Sequence, residues 1–311
     1  MALITNAFRT TDAVGNREDL TDTIDIISPT DTPFFSLCKK GTAEAVLHSW
    51  QTDSLAAASS TNFQLEGDAE TAAAASATTR LSNTCFIARK VYAVTNTQET
   101  VKKAGRRSEM AHQRYKNTLE LKRDVESILL SNNAEVTTDS PREAGTIGAW
   151  IDTNTSNGTG GSDGSLGNTA RTDGTQRDLT EDLLKTVLAA CWESGGDPDC
   201  IMVGSFNKQR MSTFSGNATR QVDAKDEKLY AAIQVYRSDF GDLEVMPNRF
   251  MRSREALILQ KNKWEFDTLR PFHMEPLAVT GDARVEVVRV EGTLVSLNEA
   301  ASGAIWDLTA S

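Results

Sequence analysis

The chain has 311 residues, 39% of them hydrophobic, 6% aromatic and 24% charged, with 43 acidic against 33 basic side chains and a formal charge of −10. That length supplies one large domain or two ordinary ones, and the acidic balance excludes a general nucleic-acid binder, whose phosphate contacts need positive surface. Cys38, Cys85, Cys191 and Cys200 have no CxxC spacing, so free, buried thiols are expected instead of a zinc site or a disulfide framework.

No stretch reaches 18 apolar residues and the first residues lack a basic, apolar leader, which predicts no membrane span, no secretion signal and synthesis in the cytoplasm. Residues 1–45 scatter single apolar residues among polar ones and read as an extended arm. Within it, Ser28-Pro29-Thr30-Asp31-Thr32-Pro33 biases the backbone away from helix, and Phe34-Phe35-Ser36-Leu37 follows as an apolar plug. Val46, His48 and Trp50 alternate with polar neighbours, and a second strand is expected from Leu81 to Val94, with Cys85, Ile87, Val91 and Ala93 on one face. About 30 residues rich in Ala, Ser and Thr lie between them, broken by Phe63, Leu65 and Glu66-Gly67-Asp68. A connection of that length is unusual unless functional or disordered, so the pair reads as a long hairpin arm with a loose tip, either a disordered surface loop or an arm that orders on a neighbouring subunit.

From Thr97 to Asn132 the spacing predicts one continuous helix. Asn96 with Glu99 forms a capping pair, and Val101, Ala104, Ala111, Tyr115, Thr118, Val125 and Leu129 share one stripe. At a rise of ~1.5 Å per residue it would reach roughly 50 Å, a spar crossing a flat molecule. Residues 133–177 are rich in Gly, Asn, Thr, Ser and Asp, with one apolar island, Ile147 to Ile151, that tacks the loop to the body. A new unit then opens with the pair Asp178 and Glu181 and an amphipathic helix carrying Leu179, Leu183, Leu184, Val187, Leu188, Cys191 and Trp192, ended by Gly195-Gly196. It continues through a strand from Cys200 to Val203, a helix capped by Ser205 and ended by Gly216, strands from Ala231 to Arg237 and Leu243 to Met246, and another from Glu255 to Gln260. The remaining chain is strand-rich, with Trp264 to Leu269 and Phe272 to Val279 flanking Pro271, a turn at Gly281-Asp282, and a long strand from Arg284 to Leu297. Trp306 stands in the tail as an anchor.

Residues with chemistry in them do not assemble into a reactive pattern. Gly160-Gly161-Ser162-Asp163-Gly164 has the letters of a hydrolase elbow but lacks the flanking strand and helix that would strain the serine. Asp152, Asn154, Ser156 and Asp163 imitate a calcium loop with its glycine displaced and its closing Glu missing, which reads as a flexible acidic loop. His48, His112 and His273 are far apart, and the pairs Asp197/Asp199 and Asp223/Asp226 flank turns. Lys102, Lys103, Arg106 and Arg107 form the densest basic patch, a helix face suited to acidic residues of a neighbour, with contact to a nucleic acid as the alternative. No catalytic residue, cofactor or metal is therefore assigned.

Several short motifs, in order, carry a resemblance. Asn16-Arg-Glu-Asp-Leu20, Ser28-Pro-Thr-Asp-Thr-Pro33, His48-Ser-Trp-Gln-Thr-Asp-Ser-Leu-Ala-Ala57, Lys103-Ala-Gly-Arg-Arg107, Glu120-Leu-Lys-Arg-Asp124, Asp173-Gly-Thr-Gln-Arg177, Val203-Gly-Ser-Phe-Asn-Lys208, Pro247-Asn-Arg-Phe250 and Leu269-Arg-Pro-Phe272 resemble the major capsid proteins of tailed bacteriophages, in the group like that of phage SU10. The resemblance implies an α+β, HK97-like capsid fold. Residues 1–45 would be the N-arm, 46–96 the E-loop, 97–177 the spine helix and loop of a discontinuous peripheral domain, 178–260 the axial domain, and 261–311 the closing peripheral strands and tail. It further implies a homo-oligomer of hexamers and pentamers in an icosahedral shell around double-stranded DNA, with a portal protein and with scaffolding and decoration proteins as further partners. No membrane is involved. An encapsulin-like nanocompartment is the alternative of the same fold, and a soluble enzyme using Ser162 a remote one. Expected inter-subunit contacts are the plug residues Phe34 and Phe35, the arm residues Trp50, Phe63 and Leu65, and Arg106 and Arg107.

Overall fold

The computed structural model describes residues 28–67, 72, 74–138, 141–214, 234–279 and 281–310. The Asn16 to Leu20 motif, most of the expected N-arm, the Gly216 helix stop, the Asp223/Asp226 pair and the start of the strand expected at Ala231 lie outside them. In chain order the elements begin with α1 (Pro33–Leu37), β1 (Lys39–Thr42), β2 (Leu47–Thr52), β3 (Thr79–Thr84) and β4 (Phe86–Thr95). Then come α2 (Asn96–Thr100), α3 (Glu109–Leu129), α4 (Ile147–Trp150), β5 (Thr155–Ser156), α5 (Glu181–Glu193), β6 (Cys200–Val203) and α6 (Ser205–Met211). The chain closes with β7 (Val235–Ser238), β8 (Gly241–Pro247), β9 (Ala256–Leu259), β10 (Trp264–Pro276), β11 (Ala283–Ser296) and β12 (Gly303–Ile305).

Among the described residues three sheets form: β1-β10-β11-β4, β5-β12-β9-β6-β8-β7, and the hairpin β2-β3. In the first sheet β1 runs parallel to β10 and the other pairs are antiparallel. Helix α3 packs across β4 and β11. In the second sheet the side chains alternate between two cores. Cys200, Met202, Leu257, Leu259 and Ala304 point into the core shared with α3, and Ile201, Val203, Ala256, Ile258 and Ile305 point toward α5 and α6. A strand buried on both faces reads as a continuous apolar run, which is what Cys200 to Val203 is.

The single long helix is not formed. The chain leaves helix after Thr100, passes Gly105 in the left-handed region at φ +74°, and starts α3 at Glu109. Three side-chain caps explain the break. Thr95 accepts from Gln98 N–H and starts α2, Ser108 accepts from Ala111 N–H and starts α3, and the Glu99 carboxylate accepts from the N–H groups of Glu109 and Met110. Glu99 caps the helix that follows and not its own, since the first-turn N–H groups of α3 need acceptors too. The true spar is 21 residues, about 30 Å. Its buried stripe is Met110, Asn117, Leu121, Val125 and Leu129, while Val101 and Tyr115, placed on the stripe by the longer reading, are exposed.

The strand expected from Leu81 to Val94 is two strands meeting at buried Cys85, one in the arm and one in the sheet. Its burial is inverted relative to expectation. Phe86, Ala88, Tyr92 and Val94 face the core, and Ile87, Val91 and Ala93 face out, because a one-residue phase shift exchanges the two faces of a strand. Conversely, β10 passes through Pro271 unbroken, with register shifts on both sides of Arg270 that absorb the missing donor. Thr180 caps α5, inside the expected pair Asp178/Glu181, and Gly204 is the N-cap of α6, with Ser205, the expected cap, as its first residue. All four cysteines are buried free thiols, as expected, and burial pushes Cys38, Cys191 and Cys200 up to about 12 and Cys85 to about 11.

Candidate assembly interface

The arm is held at its root and bare beyond it. Strands β2 and β3 pair from Leu47 opposite Thr84 to Thr52 opposite Thr79. At the root, buried Asn83 donates through Nδ2 to the carbonyls of Gly145 (2.9 Å) and Leu294 (2.7 Å) and accepts through Oδ1 from Gly145 N–H (2.8 Å). Trp50 donates through Nε1 to the Ser296 carbonyl at 2.9 Å and its ring lies 5.5 Å from buried Trp150. His48 Nε2 lies 2.9 Å from Asp267, whose carboxyl burial pushes up. Beyond the paired strands, Leu55, Phe63 and Leu65 are 98%, 86% and 80% exposed. Trp50 therefore contacts its own subunit at the arm root and is half-buried there, while Phe63 and Leu65 are exposed. Leu55 was missed by the sequence reading, though its isolation in an Ala/Ser run is the same signal.

The plug docks within the subunit. Pro33 sits at the first turn of α1, where its missing N–H costs nothing, and the N–H groups of Phe34 and Phe35 donate to the two carboxylate oxygens of buried Glu126 at 2.8 and 2.6 Å. Asn248 Nδ2 donates to the same carboxylate at 2.6 Å. Burial raises the Glu126 pKa against these hydrogen bonds. Phe34 is fully buried 6.4 Å from the Trp264 ring, and Phe35 packs 5.2 Å from Phe266 and 6.0 Å from Phe272. Phe34 thus has no surface left for a neighbour, because α1 and β1 return the chain to the core of its own subunit.

The basic patch is not a helix face but the link between α2 and α3. Lys103 Nζ pairs with Glu99 at 3.6 Å and Arg106 with Glu109. Lys102 and Arg107 are exposed and, among the described residues, have no ion-pair partner.

The Gly-rich segment expected to be a flexible acidic loop is instead stitched down by a carboxylate. Asp307, buried and left-handed at φ +59°, accepts from Gly158 N–H (3.0 Å), Gly174 N–H (2.8 Å), Arg171 Nη2 (2.9 Å) and Arg254 Nη2 (2.9 Å). Burial alone would raise its pKa, but Arg171 and the two amides outweigh it and the carboxyl titrates below its ordinary range. Arg171 also pairs with Asp173 and lies 3.6 Å from Glu255, its guanidinium 4.7 Å over the Trp306 ring. The glycines are required by closeness: a Cβ on Gly158 would stand 2.1 Å from the Thr175 carbonyl. Sequence reading found Trp306 and missed Asp307, the single charge in Ala304 to Leu308. Of the calcium-like set, Asn154 donates to the Ala300 carbonyl and Asp163 accepts from Asn157, while Ser162 exchanges backbone hydrogen bonds with Thr172. Among the described residues no three ligand side chains converge.

Burial pushes Glu255 up to about 7, against the pull of Arg252 and Arg171. A carboxyl raised from 4.5 unfolded to about 7 folded contributes stability that is complete below 4.5 and is lost as pH climbs through 7. Glu255→Gln should therefore flatten the fall in melting temperature between those pH values, as read by scanning calorimetry.

The SU10 major capsid protein family model matches residues 4–309. The chain belongs to that family. This capsid protein is 37% identical over 123 residues, 40% of its length, to the major capsid protein of Escherichia phage Phieco32, and the match spans 35% of that relative. The capsid of a native GTA particle superposes with a TM-score of 0.63 at 10% identity, covering 96% of this chain and 98% of that one. The SrpI encapsulin of Synechococcus elongatus superposes at 0.56 and 11% identity, covering 98% and 97%. At these identities the likeness speaks for the fold, which is the HK97-like one. Membership makes the chain a structural protein of the virion.

Proposed function

We propose that this capsid protein forms hexamers and pentamers that close into an icosahedral shell around the double-stranded DNA of a tailed phage, assembling in the host cytoplasm around a portal protein. The observation that carries the reading is the family match across residues 4–309. In this reading the six-stranded sheet with α5 and α6 is the axial unit and the four-stranded sheet with α3 the peripheral one. The axial sheet then draws β5 from the segment before residue 178 and β12 from the tail, so the divisions at 178 and 260 fall inside a continuous sheet. The arm supplies the exchange: Leu55, Phe63 and Leu65 are left bare by the described residues of their own subunit, and burying apolar surface on a neighbour yields ~25 cal/mol per Å² at every repeat of the contact.

Removing residues 56–78 keeps both paired strands of the arm and deletes its tip. The variant should fold and stay soluble yet yield no closed or tubular shells in negative-stain electron microscopy, where the intact chain, alone or with its neighbouring phage genes, yields them. Normal particles from the deletion would refute arm exchange. Nucleic acid inside purified particles supports the phage reading, and protein cargo without nucleic acid would favour an encapsulin-like compartment.

A further inference from the structure

Between Asp53 and Thr79 the sequence has four carboxylates and not one lysine, arginine or histidine. Two of the carboxylates, Asp53 and Glu66, are exposed beside the bare apolar residues Leu55, Phe63 and Leu65. The link between α2 and α3 has the opposite character. Exposed Lys102 and Arg107 flank the link next to Val101, 54% exposed, and Tyr115, 58% exposed, follows two turns into α3. We infer that this link is the receiving surface for the arm tip of another copy of the chain, with Lys102 and Arg107 facing the tip carboxylates and Val101 and Tyr115 its apolar residues. The inference rests on the shell reading above.

Three observations favour that occupant. Arm and link lie at opposite ends of β4, whose ten residues at ~3.3 Å each separate them by roughly 30 Å within one subunit, so the arm that meets the link belongs to a second copy. Charge and apolarity match together, which a phosphate backbone would not require. Half of the link's cations are already neutralised by Glu99 and Glu109, leaving a number suited to a short acidic tip. Exposed ion pairs are individually weak, and a shell multiplies them over its subunits.

The test is a charge exchange in the full chain, expressed under conditions in which the unaltered protein forms particles. Lys102→Glu with Arg107→Glu should leave the melting temperature unchanged, since both side chains are exposed, and lower particle yield by about tenfold or more. Adding Asp53→Lys and Glu66→Lys to that variant should restore most of the yield. Wild-type particle numbers from the reversed variant, or no recovery on exchange, would overturn the inference and leave the shell reading standing. Normal particle numbers with a reduced nucleic-acid content would also overturn it, placing the two cations on the genome side. Absence of particles from the unaltered protein under every co-expression would sink the shell reading itself, and the inference with it.

Discussion

Asp307→Ala is expected to lower the unfolding free energy by about 3–5 kcal/mol, the range for removing one partner of a buried charge pair and leaving the other uncompensated. The side chain of Arg171 has no exposed surface and would keep its charge against Glu255 and Asp173 only. The amides of Gly158 and Gly174 would lose their acceptor at the same time. Alanine would also be held at φ +59°, a conformation that costs about 1–2 kcal/mol and that Asp and Asn tolerate better. Asp307→Asn should therefore cost visibly less. Chemical denaturation gives the energies, and limited proteolysis gives the location: cleavage should appear first between residues 157 and 177, where three glycines touch backbone too closely to tolerate a side chain. Equal stability of the alanine variant and the parent would show that the arginine cluster does not hold the loop.

Glu126→Leu should act at the other end of the core and cost a similar 3–5 kcal/mol. Three donors, Phe34 N–H, Phe35 N–H and Asn248 Nδ2, converge on this one carboxylate, and each buried donor left without a partner costs about 1–3 kcal/mol. Part of that is returned because burying the carboxylate is itself unfavourable, as its raised pKa shows. The distinguishing consequence is local. With α1 uncapped, Phe34 should leave the Trp264 ring, and hydrogen exchange should accelerate over residues 33–42 before it does in α3. Glu126→Gln keeps an acceptor and should retain most of the protection; if the leucine variant keeps it too, the carboxylate is not what seats the plug.

Residues whose neighbours in sequence are also their neighbours in space were legible. The run Cys200 to Val203, the α5 stripe through Leu184, Leu188 and Cys191, the apolar island at Trp150 and the long closing strand all appear where their local pattern put them. The failures share one cause, a decision made by a distant group. Nothing near Glu99 shows that its carboxylate serves Glu109 and Met110 ten residues on. The hydrophobic period continues through Val101 and Ala104 even though the helix does not, because the stripe was drawn with Tyr115, which faces solvent. Ile87 and Val91 look like a core face and are not, since α3 lies on the side of Phe86 and Tyr92. At the candidate interface, exposure was predictable for the arm tip from its composition. The fate of Phe34 was not, because its partner Glu126 lies 92 positions away.

The four buried thiols make this subunit a silent background for sulfhydryl chemistry. A thiolate is the reactive species, and groups pushed to about 11 or 12 hold almost none of it at neutral pH. A single Glu66→Cys substitution would give every subunit one solvent-facing thiol in an otherwise inert chain. Its rate of maleimide modification before and after particle formation would then follow the arm tip alone, and would convert assembly from a count of images into a kinetic signal.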